Sequence, residues 1–155
     1  MKQEETKRKD PYLKPVILGG LFIALLSIVF APGIFLWAGV GGYITVRLAI
    51  KITKEMLTIN EGLLLGLLSG LLGGACLDIL TMISFKTPEN QRLLIRTLEK
   101  NWPQDIQLPP NFNEILPTIF LTTCAFIVLI SVMFAVLGSY IGILISKRSK
   151  KANSI

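Results

Sequence analysis

Ten carboxylates, two thiols and no histidine are what this chain of 155 residues offers to chemistry. Without histidine it lacks the commonest general base and the commonest metal ligand. Glu89, Glu99, Asp105 and Glu114 are scattered along one polar stretch, without the spacing that would gather ligands or an acid–base pair. Cys76 and Cys124 lie inside apolar runs, where a thiol is poorly ionised and inert; both are expected to be small packing residues. No nucleophile–base constellation and no cofactor motif is apparent, so the sequence predicts a protein that is not an enzyme and carries no cofactor or metal.

Two acids need a separate account. Glu61 completes Thr58-Ile59-Asn60-Glu61, the pattern of a capping box, and a carboxylate suits the positive end of a helix dipole. Asp78 has no such local explanation. It is the one charged residue between Gly62 and Phe85, and an aspartate at a bilayer centre costs about 2.5–3.5 kcal/mol, less toward the surface. Its position before Phe85 puts it about 10 Å from the end of an apolar helix. Two readings follow. One is an ion or proton site; the other is a structural acid bonded to hydroxyls at the same depth, for which Thr118, Thr122 and Thr123 are the candidates. Transporters build their sites near the midplane from groups on several helices, and Asp78 stands alone in its span.

An aspartate in this setting implies a membrane around it. The composition, 52% hydrophobic and 17% charged, exceeds what a soluble domain of this size usually hides. Pro15 through Val46 is uncharged, too long for one span of about 20 residues and short for two. Pro32-Gly33 near its middle punctuates helices, giving spans at 15–31 and 33–51 joined by a minimal turn; the rival is one kinked or re-entrant helix. Further spans are expected at 61–85 and 116–146, the last long enough that it must tilt, kink or project. Basic residues before the first apolar run fit a signal peptide, but Ala31 is followed by Pro32 and a second apolar helix, so the segment is expected to be retained. The fold class predicted is all-α: an integral membrane four-helix bundle with a basic tail at 1–14, a transmembrane domain at 15–146 and a basic tail at 147–155.

The 16 lysines and arginines fix an orientation. With both termini inside, the N-terminal segment, the connection holding Arg47, Lys51 and Lys54, and the C-terminal tail place twelve inside. Lys86, Arg92, Arg96 and Lys100 are the four outside. Were the first two spans one, the split would fall to nine against seven. The expected location is the inner (plasma) membrane with cytoplasmic termini. In the outer loop, 86–115, Thr87 can cap a helix starting at Pro88. Its apolar side, Leu94, Ile95, Leu98 and Trp102, suits a bilayer interface; the alternative is a partner-binding groove. Leu108-Pro109-Pro110-Asn111 is an extended return. The net charge of +6 belongs to these flanks rather than to a stripe with interleaved aromatics, so no nucleic-acid partner is expected.

The clearest pattern is the row Gly62, Gly66, Gly70 and Gly74, with Ser69 and Gly73 beside it. Such a row lets another backbone approach closely and gain dispersion contacts that lipid cannot supply. The other spans answer with Gly20, Ala24, Ser27, Ala31, Ala38, Gly42, Ala135, Gly138, Ser139 and Gly142. The row is filled either within the chain or by a second copy. With its Gly-rich first span ending at Pro32, Val40-Gly41-Gly42-Tyr43, and Glu61-Gly62 followed by Gly66 and Gly70, the chain resembles a loose group of small glycine-rich prokaryotic four-helix membrane proteins of unknown function. The resemblance covers roughly residues 15–80, implies topology and a prokaryotic inner membrane, and transfers no functional residue. Two functions compete: a non-catalytic scaffold or accessory subunit that assembles, with itself or another membrane protein, through small-residue faces; or a small oligomeric channel or transporter using Asp78.

Overall fold

The computed structural model describes residues 11–101 and 112–152. Among these there are five α-helices and no strand: α1 (Leu13–Val29), α2 (Ile34–Thr53), α3 (Ile59–Phe85), α4 (Pro88–Asn101) and α5 (Phe112–Ala152), with a 3-10 turn at Ala31–Gly33. Three of them, α2, α3 and α5, are long and apolar enough to cross a membrane. α1 is a shorter apolar helix of 17 residues, about 25 Å long. Residues 1–10 of the basic tail, Trp102, Asp105 and the proline-rich return at 108–111 lie outside the described residues; the end of the tail, Leu13 and Lys14, already belongs to α1.

Local chemistry sets the boundaries. At the start of α3 the Thr58 hydroxyl accepts the Glu61 N–H at 3.3 Å, and the Glu61 carboxylate accepts the Thr58 N–H at 2.8 Å. The capping box expected from the sequence is therefore formed. α2 ends where Lys54 turns left-handed, at φ 58°, and its N–H closes on the Ile50 carbonyl at 2.9 Å. Between α1 and α2 the Gly33 N–H reaches the Phe30 carbonyl at 3.0 Å, and the Trp37 indole N–H donates to the same oxygen at 3.3 Å. A side chain on Gly33 would strike both aromatic rings. Pro32-Gly33 is thus a turn between two helices that pack antiparallel, Gly19 against Gly41 and Thr45.

The fifth helix departs from expectation. It runs for 41 residues, about 61 Å by the helical rise. It begins one turn before Leu116 and carries Pro117 within it. A proline so near a helix start removes one N–H at a modest geometric cost, so the helix is not obliged to begin there. At the other end it passes Ser146 and takes the basic residues Lys147 and Arg148 with it.

α2 and α3 touch along the middle, and α1 and α5 lie on opposite sides of that pair without meeting each other. The ring of large apolar side chains, Leu25, Leu36, Leu71, Leu121 and Leu137 among them, is exposed. The interior mixes small residues, among them Ala38, Thr45, Ala49, Ser69, Ala135 and Ser139, with the aliphatic side chains of Ile23, Val46 and Ile143, all fully buried. Large aliphatic side chains left outside suit a lipid solvent, which does not penalise their exposure.

Candidate functional site

Asp78 lies on α3 one turn beyond Gly74, on the ridge that Gly70 and Gly74 begin. Built-in side chains show what that ridge faces: a Cβ at Gly70 would come to 2.7 Å from Val132 Cα, and one at Gly74 to 3.0 Å from Val128 Cα. Following α5 outward one turn further, the side chain that meets Asp78 is Cys124, whose thiol lies against the carboxylate. Cys124 is buried, as a packing residue would be, yet its partner is an acid rather than another apolar group.

The hydroxyls expected at Asp78 are directed elsewhere. Thr118, Thr122 and Thr123 are exposed. Thr122 and Thr123 donate to carbonyls of their own helix, Thr118 and Ile119, at 2.9 Å each. A step of one residue turns a helical side chain by 100°, which separates Thr123 from Cys124. The result is that Asp78 Oδ1 is buried with no hydrogen-bond partner among the described residues, a state that costs free energy unless a proton or cation completes it.

Above Asp78 the ends of α3, α4 and α5 enclose a cleft of about 440 Å³ lined by Thr81, Ser84, Phe85, Asn90, Phe120 and Thr123, among others. Phe85 and Phe120 stack across it, ring centroids 4.4 Å apart. The Asn90 amide donates to the Ser84 carbonyl at 2.8 Å, which folds α4 back beside the end of α3. Leu94 lines the cleft, while Arg92 and Arg96 lie on the other side of α4 with Glu89.

Deeper in the helices the glycine row has a definite neighbour. A side chain at Gly62 would collide with Ile143, and one at Gly66 would come within 2.9 Å of the Ala135 carbonyl. Gly138 is pressed against the Gly39 backbone, and Gly142 against Tyr43 and Val46. Two serines of α5 reach across: Ser131 donates to the Gly70 carbonyl and Ser139 to the Gly42 carbonyl, each at 3.0 Å. Ser131 was not singled out from the sequence. Its signal was present in the four-residue spacing Ser131, Ala135, Ser139, a small stripe matching the row on α3.

Among the described residues no three of Cys, Asp and Glu converge. Glu61 is engaged in its cap, and Cys76 stands apart, partly exposed. No family model, no curated protein and no solved structure matches the chain.

Proposed function

We propose that this chain is a multi-pass membrane protein in which α1, α2, α3 and α5 form a transmembrane four-helix bundle closed by small-residue faces, and that it serves as a non-catalytic scaffold or accessory subunit in the inner membrane. Both termini are cytoplasmic in this reading, and α4 rests at the outer surface. The observation that carries it is the belt of large aliphatic side chains left exposed around helices whose contacts include small residues and serine–carbonyl bonds. With the Gly62–Gly74 row facing α5 of its own chain, a second copy or another membrane protein would meet the outward aliphatic faces rather than this row. The test is purification in mild detergent with crosslinking: a defined complex, with a second copy or with one co-purifying membrane protein, supports the scaffold. A chain that runs and crosslinks solely as a monomer at membrane density overturns it.

A second reading rests on Asp78, whose Oδ1 has no partner among the described residues. A cation or proton taken from the outer cleft would satisfy it, as in a small channel or transporter. Flux of protons or monovalent cations in reconstituted vesicles, abolished by Asp78→Asn, supports this. Flux indifferent to the substitution removes Asp78 from any such path.

A further inference from the structure

Between α1 and α3 runs a groove of about 580 Å³, almost wholly apolar, whose walls include Tyr12, Val16, Leu64, Leu68 and Ala75, with Glu61 at one end. The two helices touch at Gly20 and Gly73, where a side chain on Gly20 would strike Leu72, and the groove follows their flank. From Glu61 to Ala75 it covers about 21 Å of helix. Half of a bilayer, from headgroups to midplane, is about 20–22 Å thick. The groove therefore has the length of one phospholipid standing in one leaflet.

Its chemistry is polarised in the same sense. The walls are aliphatic, and the single charged group lining it is the Glu61 carboxylate, at the end where α1 and α3 both begin. Glu61 Oε2 accepts from both the N–H and the hydroxyl of Thr58, at 2.8 and 2.9 Å, which holds the carboxylate in place. No hydrogen bond from the protein falls on Oε1 among the described residues. Among the groups that line the groove, Glu61 is the one ionised side chain, and an ammonium headgroup is complementary to it.

We propose that this groove holds one phospholipid of the cytoplasmic leaflet, its acyl chain along Leu64, Leu68 and Ala75 and its primary ammonium group on Glu61. The proposal rests on the membrane reading above and adds a lipid of stated class at a stated place. The cap makes the test clean. Glutamine satisfies a capping box as glutamate does, so Glu61→Gln removes the charge and keeps the helix start, whereas Thr58→Ala weakens the cap and keeps the charge.

The experiment uses the full chain in nanodiscs of equimolar phosphatidylethanolamine and phosphatidylglycerol, released into mild detergent, with the retained lipid counted by native mass spectrometry. The wild type is expected to retain one phosphatidylethanolamine in preference to phosphatidylglycerol, by about two- to five-fold for an exposed ion pair. Glu61→Gln should erase the preference, Thr58→Ala should keep it, and Leu68→Trp, which fills the groove, should lose retention. Equal retention of the two lipids by the wild type, or a preference unchanged in Glu61→Gln, overturns the proposal. A parallel alkaline wash of native membranes separates the two levels: a chain that stays with the bilayer but shows no lipid preference sinks the groove alone, and one that washes off sinks the membrane reading with it.

Discussion

Two serine hydroxyls tie helices together where glycine lets the backbones come close. Ser131 and Ser139 each give a proton to a glycine carbonyl on another helix. Such bonds between membrane helices average about 0.6 kcal/mol, so Ser131→Ala and Ser139→Ala should each lower the unfolding free energy by about that amount in mixed micelles, and their sum by about twice it. A loss of several kcal/mol from either alone would mean that the serine packs, rather than bonds, in its place. At the head of α3, Thr58→Ala should cost about 1 kcal/mol, the ordinary worth of an N-cap, read as earlier thermal unfolding, while Glu61→Gln, which can keep the cap but gives up the charge at the positive helix end, should lower the transition less. Thr58 and Glu61 were readable from the sequence because a capping box is chemistry within four consecutive residues. The partner of Asp78 was not, because it depends on the rotational register of α5 against α3. An error of one residue in that register exchanges Thr123 for Cys124.

Helices α2 and α5 supply a sharper contrast. Gly39 and Gly42 belong to the same helix and face the same neighbour, yet their surroundings differ. A Cβ at Gly39 would find its nearest neighbour, the Phe134 carbonyl, at 3.8 Å, an ordinary contact. One at Gly42 would run into the Ala135 backbone, which has no rotamer by which to retreat. Gly39→Ala is therefore expected to be neutral or slightly stabilising, since alanine is the better helix former. Gly42→Ala should lose about 1–3 kcal/mol to overpacking. Denaturation followed by circular dichroism distinguishes them, and equal behaviour would deny that close backbone approach matters here. The four apolar helices could be read from run length and from Pro32-Gly33, which interrupts an uncharged stretch, and α4 from the Thr87-Pro88 start signal. Their ends were less legible. The last helix begins one turn before the expected Leu116, with Pro117 inside it, and the basic run after Ser146 continues it because nothing there breaks a helix.

For the whole molecule, orientation is the first quantity to measure. With Cys76 and Cys124 replaced by alanine, single cysteines at Asn90 and Ser149 report the two surfaces. The charge distribution predicts that an impermeant maleimide added to intact cells labels Asn90→Cys and leaves Ser149→Cys untouched until the membrane is opened; the reverse pattern inverts the topology. The arrangement of α1 and α5 on opposite sides of the α2–α3 pair also dictates an order of assembly. The Ser139 hydroxyl and the Gly42 carbonyl it meets are 97 residues apart, so α5, made after α2 and α3, completes the contacts of α2. At the usual pace of about 5–20 residues per second, the glycine faces of α2 and α3 spend several seconds open to lipid before α5 exists. A truncated chain ending before α5 should consequently be a target for quality-control proteolysis, whereas one missing only α1 keeps the three helices that share the Gly42–Gly66–Ser139 junction.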